Sequence, residues 1–163
     1  MKIKDAVEQR IRDFERIGHT PILDHFLARN GETFHPQRWK GKRGKPKQCF
    51  QNATQLTQGV YAEGYVWRGD LPILILHAWR VDENDRVLDP TIDRPENCQY
   101  FGIKIPETEL ARELLRNEVY GILDTGLGYN MTYMLYRDPG MAEIIPTKKE
   151  YQDERELHIL RSN

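Results

Sequence analysis

The stretch from Val60 to Asp89 leaves no room for a helix, and that constrains the fold more than anything else in the chain. The runs Val60 to Trp67 (VYAEGYVW) and Ile73 to Val81 (ILILHAWRV) are rich in β-branched and aromatic residues, and Arg68-Gly69-Asp70 makes a turn near the end of the first. The polar hairpin Glu83-Asn84-Asp85-Arg86 then returns the chain as Val87-Leu88-Asp89, which Pro90 breaks. Connections this short join antiparallel neighbours, because a parallel pair needs a crossover of a dozen residues or more. Counting outward from the hairpin centre sets Val81 close to Leu88 and Asp89 near Arg80. Asp89 is then a register step or two from His77, a gap that a bulge or bend closes.

Helical spacing flanks this meander. Val7, Ile11, Phe14 and Ile17 form a stripe over Asp5 to Ile17, and Thr20-Pro21 opens a second short helix carrying Ile22, Phe26 and Leu27, stopped by Asn30-Gly31. Cys49 to about Thr57 reads as a third, with Phe50 and Ala53 inward and Gly59 after it. Tyr100 to Ile105 alternates like another strand, followed by a helix using Leu110, Leu114 and Leu115; Val119 to Leu123 and Met131 to Arg137 are expected as further short strands. The prediction is one α+β domain over residues 1–163. It has a basic loop at 38–47 and a peripheral, highly charged segment from about Thr147.

A chain of 163 residues, 39% hydrophobic, buries a core without disulfides or a structural metal. The longest apolar run, Leu71 to Leu76, is far too short for a bilayer, so no membrane partner is expected. Charges alternate through what would have to be an apolar signal core at the N-terminus. The expected location is therefore cytoplasmic, with Cys49 and Cys98 reduced. Net charge is −1, yet Arg38 to Lys47 (RWKGKRGKPK) holds six basic residues and ends just before Gln48-Cys49. As a solvated loop this segment needs no function. Its functional readings are a flap over an acidic substrate through Lys42, Arg43, Lys45 and Lys47, a lowered thiol pKa at Cys49, or a phosphate contact with Trp39 stacking on a base. His19, His25 and His35 fall on different elements, with no carboxylate or cysteine pattern to complete a metal site.

Cys49, His77 and Asp89 stand in the order nucleophile, base, orienting carboxylate. A cysteine at a helix start meets unpaired N–H groups and the positive end of the helix dipole, which favour thiolate. A histidine on a neighbouring strand takes and returns the proton, and a carboxylate on the next strand holds its tautomer. The bland reading makes Cys49 a small core residue, His77 a satisfied core imidazole and Asp89 a turn residue. Gln48 and Asn52 are candidate oxyanion donors, Asn52 with a backbone contact as the alternative. Trp79 either borders the thiol or packs in the core. Glu63 reads as a surface residue of its strand or a partner of the basic loop, Gly64 as a bulge or close approach, and Cys98 as buried. Zinc held by Cys49, His77, Asp89 and Cys98 has suitable donors and poor spacing.

Gln48-Cys49 leading a helix, Tyr61-Ala62-Glu63-Gly64-Tyr65, His77-Ala78-Trp79-Arg80-Val81-Asp82 and Val87-Leu88-Asp89-Pro90-Thr91 together resemble the transglutaminase-like branch of the papain-like cysteine enzymes. The resemblance spans about Lys47 to Thr91, with His-Ala-Trp followed by Asp-Pro-Thr its most specific part. It implies a papain/transglutaminase-like core with the cysteine helix packed on an antiparallel sheet, Cys49 as nucleophile, His77 as base and acid, Asp89 as orienting carboxylate, and neither metal nor organic cofactor. Calcium dependence is not carried over, since no acidic cluster suits it. The function implied is attack on an amide or peptide carbonyl through a thioester: a protease, amidase or deamidase, or a transamidase, acting on a protein, peptide or small amide. The alternative is an inactive module of the same architecture whose basic loop contacts an acidic protein or, less favoured, nucleic acid.

Overall fold

The computed structural model describes residues 1–146 apart from Asp70 and Pro72. The charged segment from Thr147 lies outside the described residues. The meander forms three of the strands of a curled, five-stranded antiparallel sheet in the order β1-β5-β2-β3-β4, where β1 is Glu32–Phe34, β2 Val60–Arg68, β3 Leu74–Val81, β4 Val87–Leu88 and β5 Cys98–Ile105. Central β2 sets Gly64 opposite His77 of β3 and opposite Gly102 of β5. A Cβ on either glycine would collide with the neighbouring strand's backbone, so the close approach expected at Gly64 is real and is shared by Gly102.

Because side chains alternate across a strand, β2 feeds two cores. Tyr61 and Tyr65 enter the larger, roofed by α1 (Ile3–Arg16), α2 (Ile22–Asn30), α4 (Glu107–Asn117) and α5 (Met131–Arg137) through Val7, Phe26, Leu27, Leu110 and Met134. Ala62 and Val66 enter the smaller, with Phe34, Trp79, Val81, Val87 and Tyr100. Trp79 meets Phe34 and Tyr100 edge-on, with ring centroids 5.6 and 5.1 Å away. This second core underlies the candidate site.

Several local expectations fail for identifiable reasons. On α1 only the first part of the stripe is covered, and the Arg10 guanidinium lies over the partly exposed Phe14 ring. On α4, Leu115 is 82% exposed whereas Glu113 is 1% exposed. Glu113 accepts from Arg112, Asn117 and Asn130, and this polar knot turns the helix away from its leucine stripe. Val119 to Leu123 is not a strand; the N–H groups of Ile122 and Leu123 go instead to Glu63. Met131–Arg137 is a helix despite its strand-like composition, with the Asn130 side chain accepting from the Tyr133 N–H as its N-cap. No helix among the described residues is long and apolar enough to cross a membrane.

Candidate active site

Cys49 is the first residue of α3 (Cys49–Gln55), which is pinned at its far end by Arg80. The Arg80 Nε donates to the Ala53 carbonyl at 2.8 Å and Nη1 to the Gly59 carbonyl at 3.0 Å, while the guanidinium pairs with Glu107. A cation on the last carbonyls of a helix satisfies orphan acceptors and opposes the dipole's negative end. Strand β3 thus carries His77 on one face and, three residues on, the clamp for the nucleophile's helix on the other. Sequence reading passed over Arg80, although an arginine between two strand valine and tryptophan neighbours signals a buried task.

The β3–β4 ladder pairs Arg80 with Leu88 and Val81 with Val87. Extending it by one residue would set Asp89 beside Trp79, making His77 its diagonal neighbour on the same face. Side chains close that gap: His77 Nε2 lies 2.8 Å from Asp89 Oδ2. The carboxylate is fully buried and held by three further donors. Oδ1 accepts from the N–H groups of Thr91 at 2.8 Å and Ile92 at 3.1 Å, and Oδ2 accepts from the Tyr100 hydroxyl at 2.8 Å. The Asp-Pro-Thr turn therefore wraps its own carboxylate, and Tyr100 reaches across the curl of the sheet to hold it. Tyr100 carried no sequence signal of this task, because β5 is not a neighbour of β4 in the sheet.

With Nε2 on Asp89, Nδ1 is the ring nitrogen left for the thiol. Cys49 lies in hydrogen-bonding reach of the His77 ring and of the N–H groups of Ala78 and Phe50. Burial by itself pushes the thiol up, but the hydrogen bond and positive charge of His77, with those two N–H groups, outweigh it and hold Cys49 below its ordinary value. Burial likewise disfavours charged His77, and the Asp89 carboxylate overrides it, raising the imidazole to about 9. Asp89 in turn is pushed up by burial and pulled further down by His77 and its N–H donors. Both shifts run in the direction that favours a thiolate facing an imidazolium over the neutral pair. Linkage follows from these directions: the stability His77 contributes is complete below its ordinary value near 6.5 and is lost as pH rises through about 9.

Other candidates are placed differently. Gln48 is exposed at the N-cap beside Cys49. Asn52 is not an oxyanion donor: its carboxamide accepts from the Lys45 N–H and donates to the Lys45 carbonyl and Thr91 Oγ1, so it fastens the basic loop to the Asp-Pro-Thr turn. Trp79 does not border an open cleft; it is fully buried, its ring stacked near His77 at 6.2 Å, and its indole N–H has no partner among the described residues. The basic segment is no free flap. Gly44 N–H donates to the Pro90 carbonyl, and Arg43 donates to the carbonyls of Ile92 and Thr91. Lys42, Lys45 and Lys47 keep exposed side chains around this anchor. Cys98 is buried on β5, with its sulfur 4.0 Å from the Arg94 carbonyl. Among the described residues no group of three or more His, Cys, Asp or Glu is arranged to hold a metal ion.

Glu63 overturns its expected surface position. Strand β2 is central and covered on both sides, so it has no solvent face, and Glu63 is completely buried. It accepts from the N–H groups of Ile122 and Leu123 at 2.8 Å each, Asp124 at 3.3 Å and the Tyr61 hydroxyl at 3.0 Å. Gly121 of that tethered loop lies against Phe50, the residue after Cys49. Burial pushes the Glu63 carboxyl up to about 7 against the pull of these donors. A raised carboxyl stabilises the fold below its unfolded value and loses that contribution as pH rises through its folded one. Between about pH 4.5 and pH 7 urea stability should thus fall by on the order of 3 kcal/mol on this account, and Glu63→Gln should flatten the decline. An identical slope in the variant would assign the pH dependence to other groups.

Comparison with protein-family models, with curated proteins and with solved structures finds no match.

Proposed function

We propose that this chain is a thiol-dependent acyl-transfer enzyme of the transglutaminase-like, papain-like kind, acting on an amide or peptide carbonyl. The observation that carries the reading is the relay from the helix-start thiol through His77 to a fully buried Asp89 with four donors on its oxygens. In the reaction, the Cys49 thiolate forms a bond to the carbonyl carbon while helix-start N–H groups face the developing oxyanion. The C–N bond breaks as His77 Nδ1 gives its proton to the departing amine, leaving a thioester and neutral imidazole. Water then surrenders a proton to His77 as it attacks, and the acid leaves with thiolate and imidazolium restored. A primary amine in place of water gives transamidation through the same residues. Hydrolysis is the simpler assignment, since the site needs no second binding pocket for an amine.

Alkylation by iodoacetamide, located by mass spectrometry, tests the reading. Between about pH 6 and about pH 8 the Cys49 rate should rise clearly less than the roughly tenfold per pH unit of an ordinary thiol. Buried Cys98 should stay unmodified, and Cys49→Ser should abolish the product. A Cys49 rate that climbs with pH like that of a free thiol would leave an inert binding module as the better account.

A further inference from the structure

The basic segment and the loop after Asp89 enclose a polar groove that the thiol chemistry does not use. One cavity of about 400 Å³ is lined by Arg38, Trp39, Arg43, Asp93, Arg94 and Glu96. A second, of about 390 Å³, shares Asp93 and Arg94 with it and continues to Arg68 and Gly69. Neither is lined by Cys49 or His77; the connection to them is the loop itself, whose Thr91 and Ile92 N–H groups hold Asp89 while their carbonyls hold Arg43.

The walls are preorganised. Asn52 fastens the backbone of Lys45, Gly44 bonds Pro90, and the Trp39 indole N–H is satisfied by the Lys42 carbonyl, which fixes the ring beside the cavity. A Cβ at Gly41 would collide with that ring, so the turn is built around it. Arg43 is committed to loop carbonyls and faces Asp93 at 3.6 Å, whereas Arg38 and Arg94 are exposed and make no ion pair among the described residues. Arg94, which lines both cavities, adopts φ 55°, a left-handed conformation that is uncommon for a residue with a side chain.

Two exposed guanidinium forks attract anions, and their planar geometry suits carboxylates bidentately. Asp93 and Glu96 in the same lining oppose a concentrated dianion more than single, spaced negative charges. The two cavities are adjacent at Asp93 and Arg94, which suits a segment of chain longer than either one holds. We propose that this groove binds an acidic peptide segment, its carboxylates on Arg38 and Arg94 and its aliphatic or backbone surface against Trp39. As a statement about substrate this rests on the thiol-enzyme reading, with the acidic segment lying outside the scissile amide; as a statement about binding it stands apart.

Full-length Cys49→Ala protein allows binding to be measured without turnover. An acetylated, amidated hexapeptide alternating glycine and glutamate should bind about tenfold more tightly than its glutamine counterpart, the preference shrinking severalfold between about 0.05 M and 0.5 M salt. Arg38→Gln with Arg94→Gln, both at exposed positions, should remove the preference without moving the melting temperature. Equal affinity for the two peptides, or a preference that survives both substitutions, overturns the proposal. So does stronger competition by inorganic phosphate or ATP than by the glutamate peptide, which would make this a phosphate site. Loss of Cys49 alkylation selectivity with peptide binding intact would instead remove only the enzymatic reading.

Discussion

His77→Ala is expected to slow alkylation of Cys49 at about pH 6 by about 100-fold or more, because it removes the hydrogen bond and charge that favour the thiolate. An ordinary thiol with a pKa near 8.5 is only about 0.3% thiolate at pH 6. With His77 present, its hydrogen bond and charge overcome the burial that would otherwise raise the thiol further. In the variant that burial acts unopposed except for the Ala78 and Phe50 N–H groups. The deficit should therefore contract to within about tenfold by about pH 9.5, where most exposed thiols ionise unaided. This contraction separates control of the proton from disruption of the fold, since a misplaced α3 would depress or elevate the rate at every pH. Asp89→Asn should produce a smaller version of the effect, because the amide keeps a hydrogen bond to the ring and loses the charge that raises it. A His77→Ala rate at pH 6 within about threefold of the parent would dissolve the proposed ion pair.

Trp79→Ala is expected to cost about 3–5 kcal/mol of folding stability, read from urea denaturation with the slope unchanged. Trp79 is fully buried and is the largest side chain of the second core, in contact with Phe34, Tyr100 and the His77 ring. Its indole N–H makes no hydrogen bond among the described residues, so the loss comes from packing, and Trp79→Phe should retain more than half of the lost stability. The cavity left by alanine opens under His77 and beside Tyr100, the two residues that grip Asp89 Oδ2. Reduced Cys49 reactivity should accompany the loss even below the melting transition. A cost under about 1 kcal/mol would mean that the neighbouring rings carry the core without the indole.

The meander was legible because its runs are too short and too β-rich for any other arrangement, and because one polar turn sets the register to within a residue. Counting placed Asp89 near Arg80; the ladder pairs Leu88 there, and the one-residue difference makes His77 and Asp89 diagonal neighbours. Cys49 at a helix start was legible for a similar reason, since the basic loop and Gly59 bound the last helical span before β2. Glu63 was misjudged because alternation assigns faces without telling whether either face sees water; that depends on whether a strand is central. Met131–Arg137 was misjudged because seven residues with tyrosines and methionines carry little propensity, and the Asn130 cap and its contact with Glu113 tipped the choice.

By itself the amino-acid order determined strands β2, β3 and β5 and the turn between β3 and β4, and hence that an aspartate would return close to His77 near a cysteine-bearing helix; it did not show the short β1. Those are consequences of periodicity and turn chemistry, which act over a few residues. Only the tertiary structure decided what closes the site: Tyr100 on Asp89, Arg80 under α3, Asn52 and Arg43 tying the basic segment to the Asp-Pro-Thr loop, and Glu63 holding residues 122–124. Each joins segments remote in sequence, and all but the exposed Arg43 contact exist because burial leaves a charged or polar group no water, so that it takes whichever donor or acceptor the curl of the sheet brings within reach.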